Sequence, residues 1–129
     1  MQTFKKEERL HEKIIIQKLF EKDRGFFIYP FKVLIDNIDF EGHYPAKVLI
    51  TVSGKKFRKA VDRNKLKRLI REAYRKNKHI LYESLFKTSK QCALIFIYTG
   101  KIIISYKEIE SKIILILQRL VKENEENYK

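Results

Sequence analysis

The sequence has a single cysteine, no tryptophan, four glycines and two prolines. One cysteine excludes an internal disulfide and favours a reducing compartment. The glycines are too scattered to form a loop that cradles phosphate. No apolar run approaches the roughly 20 residues needed to cross a bilayer, and residues 1–9 contain no apolar signal core. We therefore expect a cytoplasmic protein with no membrane partner.

Histidines are equally scattered. His11, His43 and His79 have no second ligand at the spacing that a metal site needs. No serine, histidine and aspartate order indicates a nucleophile, and Cys92 lies in an apolar run typical of a buried strand. The sequence predicts no catalytic residue and no metal held by the protein.

Positive charge is what the chain has in excess. Its 129 residues carry a formal net charge of +13 and have a pI near 9.8, while 44% of them are hydrophobic. An apolar content of that size supports one folded domain over residues 1–129 with a buried core. A basic folded domain calls for a polyanionic partner, which is a nucleic acid, an anionic membrane or an acidic protein.

Most of this charge lies in one window. Between Lys55 and Lys78 there are twelve Lys or Arg residues and only two acids, so the window contributes +10 of the +13. Apolar residues recur at helical spacing within it, which predicts a helix from about Lys59 to Lys78. We expect Asp62 to cap the start of this helix and Glu72 to brace a neighbouring cation.

One face of the predicted helix collects cations without acids. At about 100° per residue, Asn64 and five basic residues fall within roughly 100° of arc. The five are Lys67, Arg68, Arg71, Arg75 and Lys78. Solvated faces usually mix Lys with Glu at i,i+4, and arginine can grip a phosphate with two hydrogen bonds. The pattern therefore predicts a nucleic-acid-binding face.

The remaining pattern predicts an α+β sandwich in the order α-β-β-α-β-α. We expect helices over about 10–22 and from Ser105, where Ser105 and Glu108 match a capping box, and strands over 26–36, 46–53 and 92–98. Pro30 suggests an edge or a bulge in the first strand, and residues 37–45 a hairpin loop. Residues 79–91 fit a helical continuation or a separate turn, and the tail from about Glu123 to Lys129 is expected to fray.

The stretch from Val52 to Arg75 resembles the signature of the bacterial ribonuclease P protein subunit. It contains Arg-Asn-x-x-Lys-Arg-x-x-Arg after an Ala-Val pair and an earlier Lys-Lys, and a weaker similarity extends over nearly the whole chain. The resemblance implies a protein that binds a large catalytic RNA and helps it remove the 5′ leader of precursor tRNA. In that family the RNA carries the chemistry with Mg²⁺. The implied fold is an α/β sandwich with a left-handed βαβ crossover, which is the rarer hand.

The resemblance also implies contact residues. The catalytic RNA would contact the basic helix, and the RNA-binding residues predicted there are Arg63, Asn64, Lys65, Lys67, Arg68, Arg71 and Arg75. The leader would run along a cleft between the first helix and the sheet, touching Phe20, Lys55 and Lys56. Aromatic residues of the first strand, Phe26, Phe27, Tyr29 and Phe31, fit either core packing or base stacking, and of these we assign only Phe31 to the cleft.

Three departures from the family pattern concern these contacts. Lys65 stands where an arginine is usual, and Arg58 where a glycine is common. Ile16 and Leu34 occupy positions where many members carry aromatic residues that contact the leader. Stacking there, about 1–3 kcal/mol per base where it is used, would be lost.

Other functions remain open to the same basic face. A structural RNA-binding protein, associated with the ribosome or acting as an RNA chaperone, would need a similar surface. Binding in the DNA major groove is less favoured, because no dimerising or turn-helix motif precedes the basic helix. Lys5 and Lys6 fit either a phosphate contact or a solvated chain start.

Overall fold

A four-stranded sheet in the order β1-β2-β4-β3 forms the centre of the fold. The computed structural model describes the backbone of residues 3–128 and the side chains of residues 3–126. The strands are β1 (Gly25–Ile28), β2 (Phe31–Asp36), β3 (Ala46–Val52) and β4 (Cys92–Tyr98). The helices are α1 (Lys13–Lys22), α2 (Ala60–Asn77), α3 (His79–Thr88) and α4 (Tyr106–Tyr128). The predicted α+β class is confirmed.

Strand β4 lies between β2 and β3, and these two neighbours run in opposite directions. It runs antiparallel to β2 and parallel to β3. A parallel pair needs a crossover connection, and here α2 and α3 supply it. A βαβ crossover is therefore present, and its left hand stays a prediction. The nearly continuous burial of β4 follows from its central place.

The predicted first strand is in fact a hairpin. Phe26 pairs with Val33 and Ile28 with Phe31, so residues 26–36 fold back on themselves around Tyr29 and Pro30. Proline has no backbone N–H to donate, which suits it to the turn. Pro30 thus separates two strands, and the prediction of one bulged strand is wrong.

The loop from residue 37 to residue 45 does not close a hairpin, because β4 lies between β2 and β3. The loop passes the start of β4, where the Gln91 side chain holds it from both sides. Gln91 Oε1 accepts from the Phe40 N–H at 2.9 Å, and Gln91 Nε2 donates to the Tyr44 carbonyl at 3.3 Å. The strand that separates β2 from β3 comes 46 residues after Ala46, so no local pattern could reveal it.

Two separate cores cover the two faces of the sheet. Helices α2, α3 and α4 pack on one face in the larger core, which includes Leu66, Phe96 and Ile113. Helix α1 packs on the other face, over β2 and β4, where Leu19 is buried with Ile95. Part of that second face lies beyond the reach of α1 and stays half-exposed.

The predicted capping chemistry holds at the start of α4 and not at the start of α2. The capping box at α4 is confirmed, since Ser105 Oγ accepts from the Glu108 N–H at 3.2 Å. Asp62 does not cap α2, because Lys59 occupies the N-cap and Asp62 lies inside the first turn. Residues 79–91, which were ambiguous, contain the separate helix α3, which ends at Ser89 in a left-handed conformation (φ 54°).

Helix α4 also extends further than expected. It continues to Tyr128, through most of the tail for which fraying was predicted, and Lys129 lies outside the described residues. Asn124 Nδ2 donates to Ser84 Oγ and to Thr88 Oγ1, each at 3.0 Å, and so ties the end of α4 to α3. This link between helices distant in sequence stabilises the last turns.

The buried Cys92 should make stability sensitive to alkaline pH. Burial raises the pKa of its thiol from about 9 to about 12, so the unfolded chain ionises first. Stability should therefore fall between pH 9 and pH 12, by at most about 1.4 kcal/mol per pH unit. We expect Cys92→Ala to show a shallower fall than the wild type in denaturant titrations over this range. Parallel curves would contradict the prediction.

Candidate nucleic-acid interface

The outer face of α2 carries the predicted cationic row. Its inner side, Leu66, Ile70, Ala73 and Tyr74, is fully buried, as the helical phase predicts. Four of the seven predicted RNA-binding residues are exposed on the helix and three are half-buried. The exposed residues are Asn64, Lys65, Arg68 and Arg71, and the half-buried ones are Arg63, Lys67 and Arg75. A rigid helix therefore presents these side chains to solvent at fixed spacing.

Arg63 takes part in local structure. Its Nη1 donates to the carbonyl of Phe57 at 2.7 Å and to that of Arg58 at 2.9 Å. These bonds attach the loop before α2 to the helix itself. Arg63 thereby positions the loop that carries Lys55 and Lys56, so an indirect role in RNA binding is open to it.

Arg75 is paired with an acid that the helical arc did not include. Glu72 accepts from Arg75 Nε at 3.0 Å and from Nη2 at 2.6 Å, and it also lies 3.9 Å from Lys76 Nζ. The hydrogen bond from Arg75 is the main reason that the pKa of Glu72 is lowered. The predicted bracing role of Glu72 is confirmed. It reduces the positive charge at this end of the row.

Removing the Glu72 carboxylate should therefore strengthen RNA binding. We expect Glu72→Gln to steepen the log–log dependence of affinity on salt by up to about one unit, since one more cation becomes available to a phosphate. Filter binding across a series of salt concentrations measures the slope. Glu83→Gln, an exposed acid on α3, is the matched control and should leave the slope unchanged. An equal effect of both variants would mean that general charge, and not this pair, is responsible.

Lys78 lies outside the cationic row, contrary to the helical-phase prediction. It is buried, and its Nζ donates to Glu8 Oε1 and Oε2 at 2.7 and 2.6 Å and to the carbonyl of Thr3. Glu8 is itself buried. The pair fastens the N-terminal segment to the junction of α2 and α3. A cation that looks like part of a binding face is therefore an internal ion pair.

This fastening brings Arg9 to the basic face. Leu10 N–H donates to the Val48 carbonyl at 3.0 Å, along the β3 edge of the sheet. The exposed Arg9 side chain lies over the Phe4 ring, 5.2 Å from its centroid, and Phe4 packs edge-on against Tyr74 of α2.

The Arg9 guanidinium consequently acts electrostatically on Arg71 of α2. Partial burial, together with repulsion from Arg9, lowers the pKa of Arg71. Such repulsion costs stability in the free protein and favours a bound anion. No local sequence pattern predicts that Arg9 belongs to this face, because its position depends on the ion pair of Glu8 with Lys78, 70 residues away.

The predicted leader residues separate into two groups. Phe20 is 49% exposed on α1, and Lys55 and Lys56 are exposed in the loop after β3. Phe31 is fully buried and packs edge-on against Tyr98 at 5.4 Å in the larger core. The prediction that Phe31 faces the cleft is therefore wrong, because its side chain lies on the opposite face of the sheet from α1.

The sheet face beside α1 contains a row that the helix leaves open. Lys32 of β2 pairs with Ile97 of β4, which pairs with Thr51 of β3, and all three are half-exposed. The next row, which includes Leu34, is buried beneath α1. A strand of nucleic acid can reach the first row and not the second, so Leu34 offers no contact surface.

The comparisons with known proteins agree with this geometry. The family model for ribonuclease P matches residues 4–121. The chain belongs to the ribonuclease P protein family. The ribonuclease P protein component of Porphyromonas gingivalis is 32% identical over 105 residues, which are 81% of this chain and 77% of the relative. That of Petrotoga mobilis is 32% identical over 124 residues, 92% and 96% of the two chains.

A solved structure extends the agreement to the fold. The ribonuclease P protein from Thermotoga maritima matches with a TM-score of 0.68 at 26% identity, over 87% of this chain and 96% of that one. The family resemblance carried by the Arg63–Arg71 motif is thus confirmed. The strand order, which local sequence patterns do not predict, belongs to a fold that the chain shares with this relative.

The part of the chain that the structure describes contains no cluster of side chains that could hold a metal ion. Among residues 3–128, no three His, Cys, Asp or Glu side chains lie together as metal ligands would. The side chains gathered on α2 are cations, which repel Mg²⁺. Magnesium therefore does not fit a site built from these residues. Within the same residues, no helix is long and apolar enough to span a membrane.

Proposed function

We propose that this chain is the RNA-binding subunit of a ribonuclease P ribonucleoprotein and assists its catalytic RNA in removing the 5′ leader from precursor tRNA. The catalytic RNA would lie against the outer face of α2, where it contacts Asn64, Lys65, Lys67, Arg68 and Arg71. Arg63 would act by holding the preceding loop, and Arg75 would contribute less because Glu72 already binds it.

The observation that carries the proposal is the row of exposed cations on the outer face of α2, Lys65, Arg68 and Arg71, to which the exposed Arg9 adds a further positive charge. Partial burial and repulsion from Arg9 lower the pKa of Arg71, and a bound phosphate would offset this repulsion. Arginine forms charge-assisted hydrogen bonds with phosphate in a fixed geometry. A polyphosphate chain is the partner that supplies such anions at regular spacing.

The leader would enter beside α1. Phe20 is exposed on the helix, the row of Lys32, Ile97 and Thr51 is open on the sheet, and Lys56 lies at the end of the same sheet. A half-exposed row that combines Ile97 with Lys32 and Thr51, with Lys56 at its end, suits a single strand, whose bases and phosphates need different surroundings. The bond-breaking chemistry, and the Mg²⁺ that it requires, belong to the RNA in this proposal.

Reconstitution tests the proposal directly. Purified protein is combined with the ribonuclease P RNA encoded in the same genome, Mg²⁺ and a precursor tRNA labelled at its 5′ end. We expect the protein alone to release no leader, and the complex to release it faster than the RNA alone at low Mg²⁺.

Two results would overturn the proposal. Leader removal by the protein without RNA would make the chain itself the catalyst. The second result is that the protein leaves cleavage by the RNA unchanged and sediments with ribosomal subunits from a lysate. That combination would favour a structural RNA-binding protein associated with the ribosome.

A further inference from the structure

The β1–β2 hairpin carries two exposed aromatic rings, Phe27 in β1 and Tyr29 in the turn. Phe27 is 55% exposed and Tyr29 is 63% exposed, and their ring centroids are 6.2 Å apart in an edge-to-face arrangement. Aromatic side chains usually contribute to stability by being buried. Two neighbouring rings left in water at a hairpin tip therefore indicate a contact surface.

The register of the sheet places Phe27 on the face that α1 partly covers. Phe27 pairs directly with Lys32, and residues paired directly across strands point to the same side. Val33 points into the larger core, so its neighbour Lys32 points to the α1 side. Phe27 consequently extends the open row of Lys32, Ile97 and Thr51 to the outer edge of the sheet.

A cation lies at the same end of the sheet as the rings. Lys56 Nζ donates to the carbonyl of Thr99, and the Thr99 N–H donates to the carbonyl of Pro30 at 2.7 Å. Pro30 directly follows Tyr29. Thr99 and Pro30 therefore link Lys56, in the loop after β3, to the turn that contains Tyr29. Pro30 and Lys56 are 26 residues apart in sequence. The same end of the sheet offers π faces and a positive charge.

We propose that Phe27 and Tyr29 form a stacking platform for unpaired bases of single-stranded RNA, with Lys56 at the same end of the sheet for the backbone phosphate. Every base has a π face, so such a platform accepts any sequence. The charge complementarity favours RNA over an apolar protein partner, because the rings lie at the same end of the sheet as an exposed basic loop. Identifying the strand as the 5′ leader rests on the proposed function above.

Binding to the protein alone tests the platform. The probe is a ten-nucleotide single-stranded RNA with 2-aminopurine at one position, whose fluorescence falls when the base stacks. We expect quenching with the wild type, and affinity about five- to tenfold lower for Phe27→Leu and for Tyr29→Leu, the lower end of the range for base–aromatic stacking. Tyr29→Phe keeps the ring and should bind as the wild type does.

Phe86→Leu is the matched control. Phe86 is 62% exposed, similar to Tyr29, and lies on α3 on the opposite side of the sheet. It should leave quenching and affinity unchanged. Thermal melting of each variant checks that the fold is kept. Quenching by the wild-type protein is measured independently of the variants, so it tests the proposal even if a variant does not fold. No quenching with the wild type, or an equal loss in Phe86→Leu, would overturn the platform.

The identity of the strand is tested in the reconstituted ribonucleoprotein. Phe27→Leu/Tyr29→Leu should weaken binding of precursor tRNA at least fivefold and leave binding of mature tRNA unchanged. Equal losses for both tRNAs would reject the leader, even where the probe shows stacking. If the wild type fails to stimulate leader removal, the proposed function fails, and the oligonucleotide result still decides the platform. Self-association that depends on both rings, with no RNA effect, would assign the surface to a second copy of the chain.

Discussion

Replacing Lys78 with Met is expected to lower the free energy of unfolding by about 3–5 kcal/mol, the usual cost of removing one partner from a buried ion pair. Glu8 is 1% exposed and accepts two hydrogen bonds from Lys78. Without Lys78 its carboxylate would be buried without a counter-charge. For a chain of this size the loss corresponds to a fall in Tm of roughly 10–20 °C.

A double-mutant cycle separates the ion pair from general packing. Glu8→Leu/Lys78→Met removes both charges and should recover most of the lost stability, because the apolar replacements need no desolvated partner. Lys87→Met is the control, since Lys87 forms an exposed pair with Glu125 and should cost less than about 1 kcal/mol. If Lys78→Met is no worse than this control, the Glu8–Lys78 pair does not fasten the N-terminal segment.

The same variant links stability to the binding surface. The N-terminal segment carries Arg9, which acts electrostatically on Arg71, and Lys78 also lies 5.3 Å from the Tyr82 ring centroid. Detaching the segment would move Arg9 away from the row. We therefore expect Lys78→Met to weaken RNA binding at temperatures where the domain is still folded, although Lys78 itself is buried and cannot contact RNA.

The sequence predicted those features that depend on neighbouring residues. The phase of α2 follows from apolar spacing, the start of α4 from Ser105 and Glu108, and the β4 strand from a continuous apolar run. Each of these is decided within about one element, where periodicity and capping act. The amphipathic face of α2 was predictable for the same reason.

The errors at Lys78 and Phe31 have different causes, a contact with a residue distant in sequence and an unrecognised turn. Lys78 has the helical phase of a binding residue, and only Glu8, 70 positions earlier, makes it internal. Phe31 alternates with Phe27 and Tyr29 along one segment, but the turn at Pro30 reverses the chain between them. The alternation of side chains between the two faces of a strand does not continue through a turn. When the turn is not recognised, the residues after it are assigned to the wrong face. The sequence therefore assigns to the cleft the one aromatic residue that is buried, Phe31, and not the exposed Phe27 or Tyr29.

Substituting both Arg68 and Arg71 with Ala should cause the largest loss of RNA affinity. Each arginine is exposed on the outer face of α2, and a hydrogen bond to a charged group contributes about 1.5–3 kcal/mol, so each should cost tenfold or more. The log–log salt slope should become shallower by about 1.4–1.8 units, since two phosphate contacts are lost. Titration of the catalytic RNA at several salt concentrations measures both quantities.

The control must remove the same charge from elsewhere. Lys87→Ala/Lys122→Ala lowers the net charge equally, and both lysines are exposed on α3 and α4. A general attraction between a +13 chain and RNA would weaken equally in both double variants, because long-range attraction depends on total charge. A specific face would lose affinity and slope only in Arg68→Ala/Arg71→Ala. Because the four side chains lie outside the buried core, unchanged melting curves should accompany either result. An unchanged slope in the arginine variant would remove this face of α2 from the interface.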